Sequence, residues 1–101
     1  MKILAITKRQ PGATSRHIQA LQVPEALAVW RHMRDGFVRE IYFDPDRPAV
    51  VLVLEASSTD DARARLATLP MVAQGQIDFE ILVLGHYSQL SHLFGEAHRS
   101  A

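Results

Sequence analysis

A chain of 101 residues suits one domain and leaves little room for a second. Apolar residues make up 48% of it and charged residues 22%, and its 11 basic residues balance its 11 acidic ones, so the basic footprint of a nucleic-acid-binding protein is missing. The lack of cysteine excludes disulfides and thiolate chemistry. The apolar run over residues 3–7 is too short for a signal peptide or a membrane span, so we expect a cytoplasmic protein with no membrane partner.

The first predicted strand is the short apolar segment KILAITK, residues 2–8. After a Pro-Gly turn, Thr14 or Ser15 can cap a short helical turn. The main helix is predicted over residues 24–35, because proline is tolerated at a first helical position and Gly36 stands where a left-handed terminating residue belongs. The apolar positions of this segment follow helical spacing, and they are Ala26, Val29, Trp30, Met33 and Phe37.

Two strands and a second helix follow. Residues 37–44 form the second predicted strand, and the prolines and aspartates of DPDRP end it in a turn. Residues 49–56, AVVLVLEA, are almost continuously apolar, which indicates a strand in the centre of the sheet. A helix is predicted over residues 57–70, capped by Ser58 or Thr59 and stopped by its final proline.

The fourth predicted strand covers residues 76–85. It places Ile77, Phe79 and Ile81 on one face and Asp78 and Glu80 on the other. Residues 87–94 have the spacing of a short C-terminal helix or arm. We therefore expect a single domain over residues 1–94 and a frayed tail over residues 95–101.

This order of elements, β-α-β-β-α-β, predicts an α+β protein with the ferredoxin-like fold, in which one antiparallel sheet carries two helices on one face. The helices cover only that face. The other face needs a cover, and a second copy of the sheet is the usual solution. We therefore expect a homodimer or a higher oligomer of dimers.

Two segments resemble the muconolactone isomerase family. LATLPMVAQGQIDFEILVLGHY, residues 66–87, is similar to the C-terminal half of that enzyme, where a helix ending in a Leu-Pro pair leads to a last strand with Asp and Glu. VWRHMRDGFVREIYF, residues 29–43, looks like the middle portion of small relatives in the same domain family. The resemblance implies a dimeric α+β barrel. It also implies one pocket per subunit, between sheet and helices, closed in part by a neighbour's C-terminal segment.

The second strand supplies the first candidate site. Regular alternation places Phe37, Arg39, Ile41 and Phe43 towards the helices, and Val38, Glu40, Tyr42 and Asp44 towards a partner sheet. Asp78 and Glu80 would join the second set inside the barrel. A carboxylate kept from water there can abstract a proton beside a carbonyl, so Glu40 or Glu80 is a candidate base and Tyr42 a candidate donor to an enolate oxygen. The alternative is that these groups pair across a dimer interface or contact water.

Arg39 is the charged member of an otherwise apolar set. Its guanidinium can bind a substrate carboxylate with two parallel hydrogen bonds. Burial of an arginine without an anion is unfavourable, which favours this role. Alternatively, its stem packs on the sheet while its head reaches solvent at the sheet edge.

His86 and Tyr87 follow the last strand, where they are candidates for the mouth of a pocket, His86 as an acid or base and Tyr87 in substrate binding. A solvated loop is the alternative for His86. Trp30 is a third candidate substrate-binding residue, although a tryptophan at this helical spacing is more often part of the core, and His32 is expected to point outwards. The five histidines lack metal-ligand spacing, so we expect no metal.

Two functions remain open. The resemblance implies cofactor-free isomerisation of a small unsaturated lactone or acid, in which a carbon–carbon double bond moves by proton transfer. The alternative is a non-catalytic ligand-binding or accessory subunit on the same barrel. A cofactor-independent monooxygenase has no residue evidence of its own.

Overall fold

The structure, a computed structural model, describes residues 1–95. Its elements in chain order are β1 Lys2–Arg9, α1 Ser15–Ala20, α2 Gln22–Arg34, β2 Val38–Asp44, β3 Ala49–Glu55, α3 Thr59–Leu66, α4 Pro70–Ala73, β4 Ile77–Leu84 and a 3₁₀ helix, Ser88–Phe94. The short C-terminal helix is thus confirmed. Most of the predicted tail, residues 96–101, lies outside the described residues.

The four strands form one antiparallel sheet in the order β2-β3-β1-β4. The predicted ferredoxin-like α+β fold is therefore confirmed. The almost continuously apolar strand β3 lies in the interior of the sheet, as its composition indicated, and β1 lies beside it. β2 and β4 are the two edge strands, and this placement governs which candidate side chains can meet.

The helix ends use the chemistry that the sequence indicated. Thr14 Oγ1 accepts the backbone N–H of His17 at 3.1 Å, so Thr14 caps α1. α2 begins at Gln22 rather than at Pro24, which leaves Pro24 in the first turn, where its missing N–H costs no helical hydrogen bond. Gly36 follows α2 with φ of +87°, which confirms the left-handed terminating residue.

The second half departs from the prediction at one point. Ser58 Oγ accepts the backbone N–H of Asp61 at 3.0 Å and caps α3, as predicted. However, α3 ends at Leu66, and Pro70 starts the separate short helix α4 instead of stopping α3. A proline at a first helical position gives up an N–H that has no helical partner, so it can begin a helix as well as end one.

The core lies between the helices and one face of the sheet. The sheet contributes Ile3, Ala5, Leu52, Leu54 and Phe79, and α3 with the turn after it contributes Ala62, Leu66 and Leu69. On the opposite face, which we call the open face, the rows of side chains include Glu40, Tyr42, Leu4, Leu82 and Glu80. Tyr42 and Leu82 of the open face are 58% and 46% exposed, so this face is accessible in the single chain.

A β-bulge corrects the predicted faces of β2. Val38 lies opposite Leu54 and Glu40 lies opposite Val53, so Arg39 is an extra residue that pairs with neither. Val38 is consequently buried on the helix-covered face, at 3% exposure, although regular alternation had placed it towards a partner sheet. Arg39 was predicted on the helix-facing side, and this prediction was wrong because the bulge takes it out of the ladder. Strict alternation resumes only after the bulge.

Candidate functional site

An apolar cleft of about 440 Å³ lies between α2 and the helix-facing side of the sheet, a volume within the usual range of small-molecule sites. We call it the α2 cleft. Val50, Leu52, Ile77 and Phe79 line it from the sheet, and Met71 lines it from α4. Because Leu52 and Phe79 also belong to the core, the sheet wall of the cleft is continuous with the core.

The helical wall of the α2 cleft consists of Ala26, Val29, Trp30 and Met33. None of the residues of α2 is fully buried, although Ala28 and Val29 pack against the core. Trp30 is 54% exposed at the cleft, and Met33 is 38% exposed. The core position that the helical spacing favoured for Trp30 was therefore wrong. The candidate substrate-binding role of Trp30 stays a prediction, and its side chain lies where such a role requires it.

Glu25 supplies the negative charge of the α2 cleft, and sequence reasoning missed it. Its Oε1 accepts the backbone N–H of Met71 at 2.9 Å. Burial among apolar side chains raises the pKa of Glu25, and the hydrogen bond from Met71 opposes that shift only in part. A signal was present: Glu25, Val29 and Met33 are spaced four residues apart, so a lone acid lay on an apolar helical stripe.

Thr7 is a polar group on the sheet side of the same cleft. Its Oγ1 accepts the backbone N–H of Val50 at 2.8 Å, which leaves the hydroxyl hydrogen of Thr7 to donate to a ligand oxygen. Together, Glu25 and Thr7 place one carboxyl group and one hydroxyl donor in a cleft whose other lining side chains, apart from Gln22, are apolar. Such a combination can move a proton and stabilise a developing oxyanion.

Glu40 and Tyr42 lie on the open face instead. The Tyr42 hydroxyl donates to Glu40 Oε1 at 2.7 Å, and this hydrogen bond and the negative charge of Glu40 raise the pKa of Tyr42. The pair thus forms the contact that the sequence suggested, but outside the α2 cleft and in an exposed position. Their catalytic roles stay predictions.

Asp78 and Glu80 do not join that pair within one chain. They lie on β4, and Glu40 lies on β2, at the opposite edge of the sheet. Three strand spacings of about 4.8 Å separate the two edges by roughly 14 Å. The four groups do not form a cluster within the single chain, because the strand order places two interior strands between its halves, and their clustering inside a dimeric barrel stays a prediction.

Arg39 curls back on its own turn. Its Nε donates to the Gly36 carbonyl oxygen at 2.7 Å, and the side chain is exposed at the bulge. Since the guanidinium is not buried, the argument that it needs an anion no longer holds. Anion binding by Arg39 stays a prediction.

His86 and Tyr87 are exposed after β4 and are not among the residues that line the α2 cleft. The histidine that packs is His32: its ring meets the Phe37 ring edge-on at 5.1 Å, and its Nε2 lies 3.0 Å from Thr68 Oγ1. His32 was expected to point outwards, and this was wrong because α2 presents it to the turn after α3. Over residues 1–95, no three His, Asp or Glu side chains cluster as metal ligands.

Within the described range, every helix is too short or too polar to cross a membrane. No protein-family model matches the sequence, and a comparison with curated proteins found no match. The function is therefore inferred from the geometry of the α2 cleft and of the open face.

Proposed function

We propose that the protein is a small-molecule enzyme that isomerises an unsaturated lactone or acid by proton transfer, without a cofactor, in the α2 cleft. One observation carries this proposal: an apolar cleft contains a single carboxyl group, Glu25, whose pKa is raised by burial. A carboxyl group with a raised pKa is a better base than an ordinary one and is suited to abstract a proton beside a carbonyl.

The proposed reaction moves one proton from one carbon of the substrate to another and needs no proton or electron from outside. Glu25 takes a proton from the carbon next to the carbonyl or from the carbon beyond the double bond, and the electron pair of the broken C–H bond moves into a conjugated enolate. The Thr7 hydroxyl donates a hydrogen bond to the enolate oxygen. The protonated Glu25 then returns the proton to another carbon of the conjugated system, which shifts the double bond.

The resemblance to the muconolactone isomerase family supports an active site in the α2 cleft. That resemblance implies a pocket between the sheet and the helices, and the α2 cleft lies there. Both resembling segments contribute to its lining, Trp30 and Ile41 from residues 29–43 and Met71 from residues 66–87.

We also propose that the open face is covered by a second copy of the chain. Leu82 and Leu84 of this face are 46% and 40% exposed, and a four-stranded sheet with helices on one side leaves such a face to be covered. In a face-to-face dimer Glu40 and Tyr42 belong to the interface, which is the alternative that the sequence left open for them. Light scattering should give a mass of twice 11.3 kDa, or a multiple of that dimer. A mass of one chain would contradict this arrangement.

The catalytic proposal is tested by deuterium exchange in heavy water, followed by NMR on small unsaturated lactones and enoic acids. Glu25→Gln should slow the exchange by about 10²–10⁴, because it removes the base while keeping an acceptor for Met71. Asp60→Asn, which removes one exposed negative charge from α3, is the matched control and should leave the rate unchanged.

Glu40→Gln decides between two positions for the base. Loss of exchange in Glu40→Gln with normal exchange in Glu25→Gln would move the base to β2. Absence of exchange with every compound, although one of them binds, would favour the non-catalytic ligand-binding protein.

A further inference from the structure

The side chains that line the α2 cleft carry charge of one sign only, and Arg9 lines a separate, adjoining hollow. Glu25 is acidic, and no lysine, arginine or histidine of residues 1–95 lines the cleft. The remaining polar side chains of the lining, Thr7 and Gln22, are neutral. Arg39, the cation that the sequence suggested for a substrate carboxylate, is held at the bulge by the Gly36 carbonyl oxygen and lies outside this lining.

We propose that the α2 cleft selects neutral, largely apolar carbonyl compounds, such as alkyl-substituted unsaturated lactones, and rejects substrates with a free carboxylate. This inference rests on the proposed function and narrows its substrate class. A carboxylate that enters the cleft loses part of its hydration and finds no cation among the lining side chains. It is also repelled by the Glu25 carboxylate, a like charge in surroundings where water screens it poorly.

A neutral carbonyl compound avoids both the desolvation of a charge and the repulsion by Glu25. Its ring and alkyl chain pack against Trp30, Val29 and Leu52, and the burial of apolar surface favours binding. Its carbonyl oxygen can accept from the Thr7 hydroxyl, or from Glu25 when that carboxyl group is protonated. The raised pKa of Glu25 extends the pH range in which the protonated form is present.

Ligand binding in the α2 cleft can be measured by the fluorescence of Trp30. This residue is the single tryptophan of the chain and is half-exposed at the cleft, so its fluorescence reports on occupancy. Three probes of equal alkyl length are titrated near neutral pH: a γ-alkyl unsaturated lactone, the open-chain carboxylate of the same carbon number, and the corresponding alkylammonium ion. The lactone should bind at least about tenfold more tightly than the carboxylate, which corresponds to about 1.4 kcal/mol.

Glu25→Gln should reduce that preference, because the neutral amide no longer repels the carboxylate, whereas Asp60→Asn should leave it unchanged. Melting curves of both variants establish that they are folded. Equal affinities for lactone and carboxylate in the wild type would overturn the inference. So would tighter binding of the ammonium ion, binding of none of the three probes, or weaker carboxylate binding in Arg39→Gln, which would show that a cation is recruited.

The affinity for the probes tests this inference, and deuterium exchange of the bound compounds tests the proposed function, so the two can fail separately. A lactone that binds preferentially but exchanges no deuterium leaves the neutral-ligand selectivity in place and removes the isomerase activity. A carboxylate that binds as tightly as the lactone and exchanges with it leaves the activity and removes the selectivity.

Discussion

Glu25 Oε1 accepts the backbone N–H of Met71 across 2.9 Å, and this bond joins α2 to the first turn of α4. Leu69, the residue that precedes α4, cannot cap it with its aliphatic side chain, so Glu25 satisfies one of the free N–H groups of that turn from another element. One carboxyl group therefore both holds two helices together and supplies the charge of the α2 cleft. These two roles can be separated by the choice of substitution.

Glu25→Ala should be less stable than Glu25→Gln by about 1–3 kcal/mol. Both substitutions remove the carboxylate, but only alanine leaves the partly buried N–H of Met71 without an acceptor. Urea unfolding of the two variants gives the difference directly. Equal free energies of unfolding would show that the bond to Met71 contributes nothing to the docking of the helices.

The pH dependence of stability should distinguish the wild type from Glu25→Gln. Since burial raises the pKa of Glu25, the folded protein binds this proton more tightly than the unfolded chain does. The contribution of Glu25 to the stability of the folded protein is therefore most favourable at low pH, and it falls as the pH rises through the pKa of Glu25 in the folded state. The wild type should gain stability relative to Glu25→Gln as the pH is lowered from neutral through that range.

Thermal unfolding at a series of pH values measures this difference. Other acids shift in the opposite direction: the pKa of Asp61, for example, is lowered by hydrogen bonds from Ser57 and Arg65. These other pKa shifts are the same in the wild type and in Glu25→Gln, so they cancel in the difference between the two stabilities. A stability difference that does not change with pH would contradict a raised pKa at Glu25.

The order of elements could be predicted because each rests on a local pattern. An uninterrupted apolar run indicated that β3 lies inside the sheet, a serine before a helix indicated its cap, and a glycine after α2 indicated a left-handed end. These patterns depend on hydrogen bonds and dihedral angles within a few residues, which the sequence determines directly.

The candidate site could be predicted only in part, because its geometry depends on distances between elements. The helical spacing identified the face of α2 that carries Trp30, but it does not determine how closely each side chain of that face packs on the sheet, and Trp30 is 54% exposed at the cleft. The alternation of β2 is correct from Glu40 onwards and wrong for Val38, because the extra residue Arg39 shifts the pairing between Val38 and Glu40. The separation of Glu40 and Glu80 follows from the order of the strands in the sheet, which the order of the elements along the chain does not state by itself.

Truncation of two aromatic residues should reduce the stability of the fold to very different extents. Phe37 is 2% exposed and packs against the His32 ring and the Arg65 guanidinium, so Phe37→Ala should cost about 3–5 kcal/mol of stability. Trp30→Ala should cost much less, because more than half of the side chain is exposed, yet it should weaken ligand binding measured by calorimetry. Comparable losses of stability in the two variants would place Trp30 in the core after all.

Gly36→Ala should destabilise the fold by roughly 1 kcal/mol or more, and Gly85→Ala is its matched control. Gly36 has φ of +87°, a conformation that disfavours a side chain, whereas an added Cβ at Gly85 meets nothing within 4 Å and its φ lies outside the left-handed region. The Gly36→Ala substitution should also affect the bulge of β2, because Gly36 contacts Arg39. The Gly36 carbonyl oxygen accepts from Arg39 at 2.7 Å, so the turn after α2 and the bulge of β2 share one contact.

A change in the Gly36 turn should therefore disturb the bulge and with it the burial of Val38. Hydrogen exchange at the amides of residues 37–41 should accelerate in Gly36→Ala and stay unchanged in Gly85→Ala, while the amides of β1 remain protected in both variants. Because Ile41 lines the α2 cleft, the same variant should also weaken lactone binding. If Gly36→Ala lowers the melting temperature without changing exchange in β2, the turn and the bulge are independent, and the phase of the strand is set by the burial of Phe37 and Val38 alone.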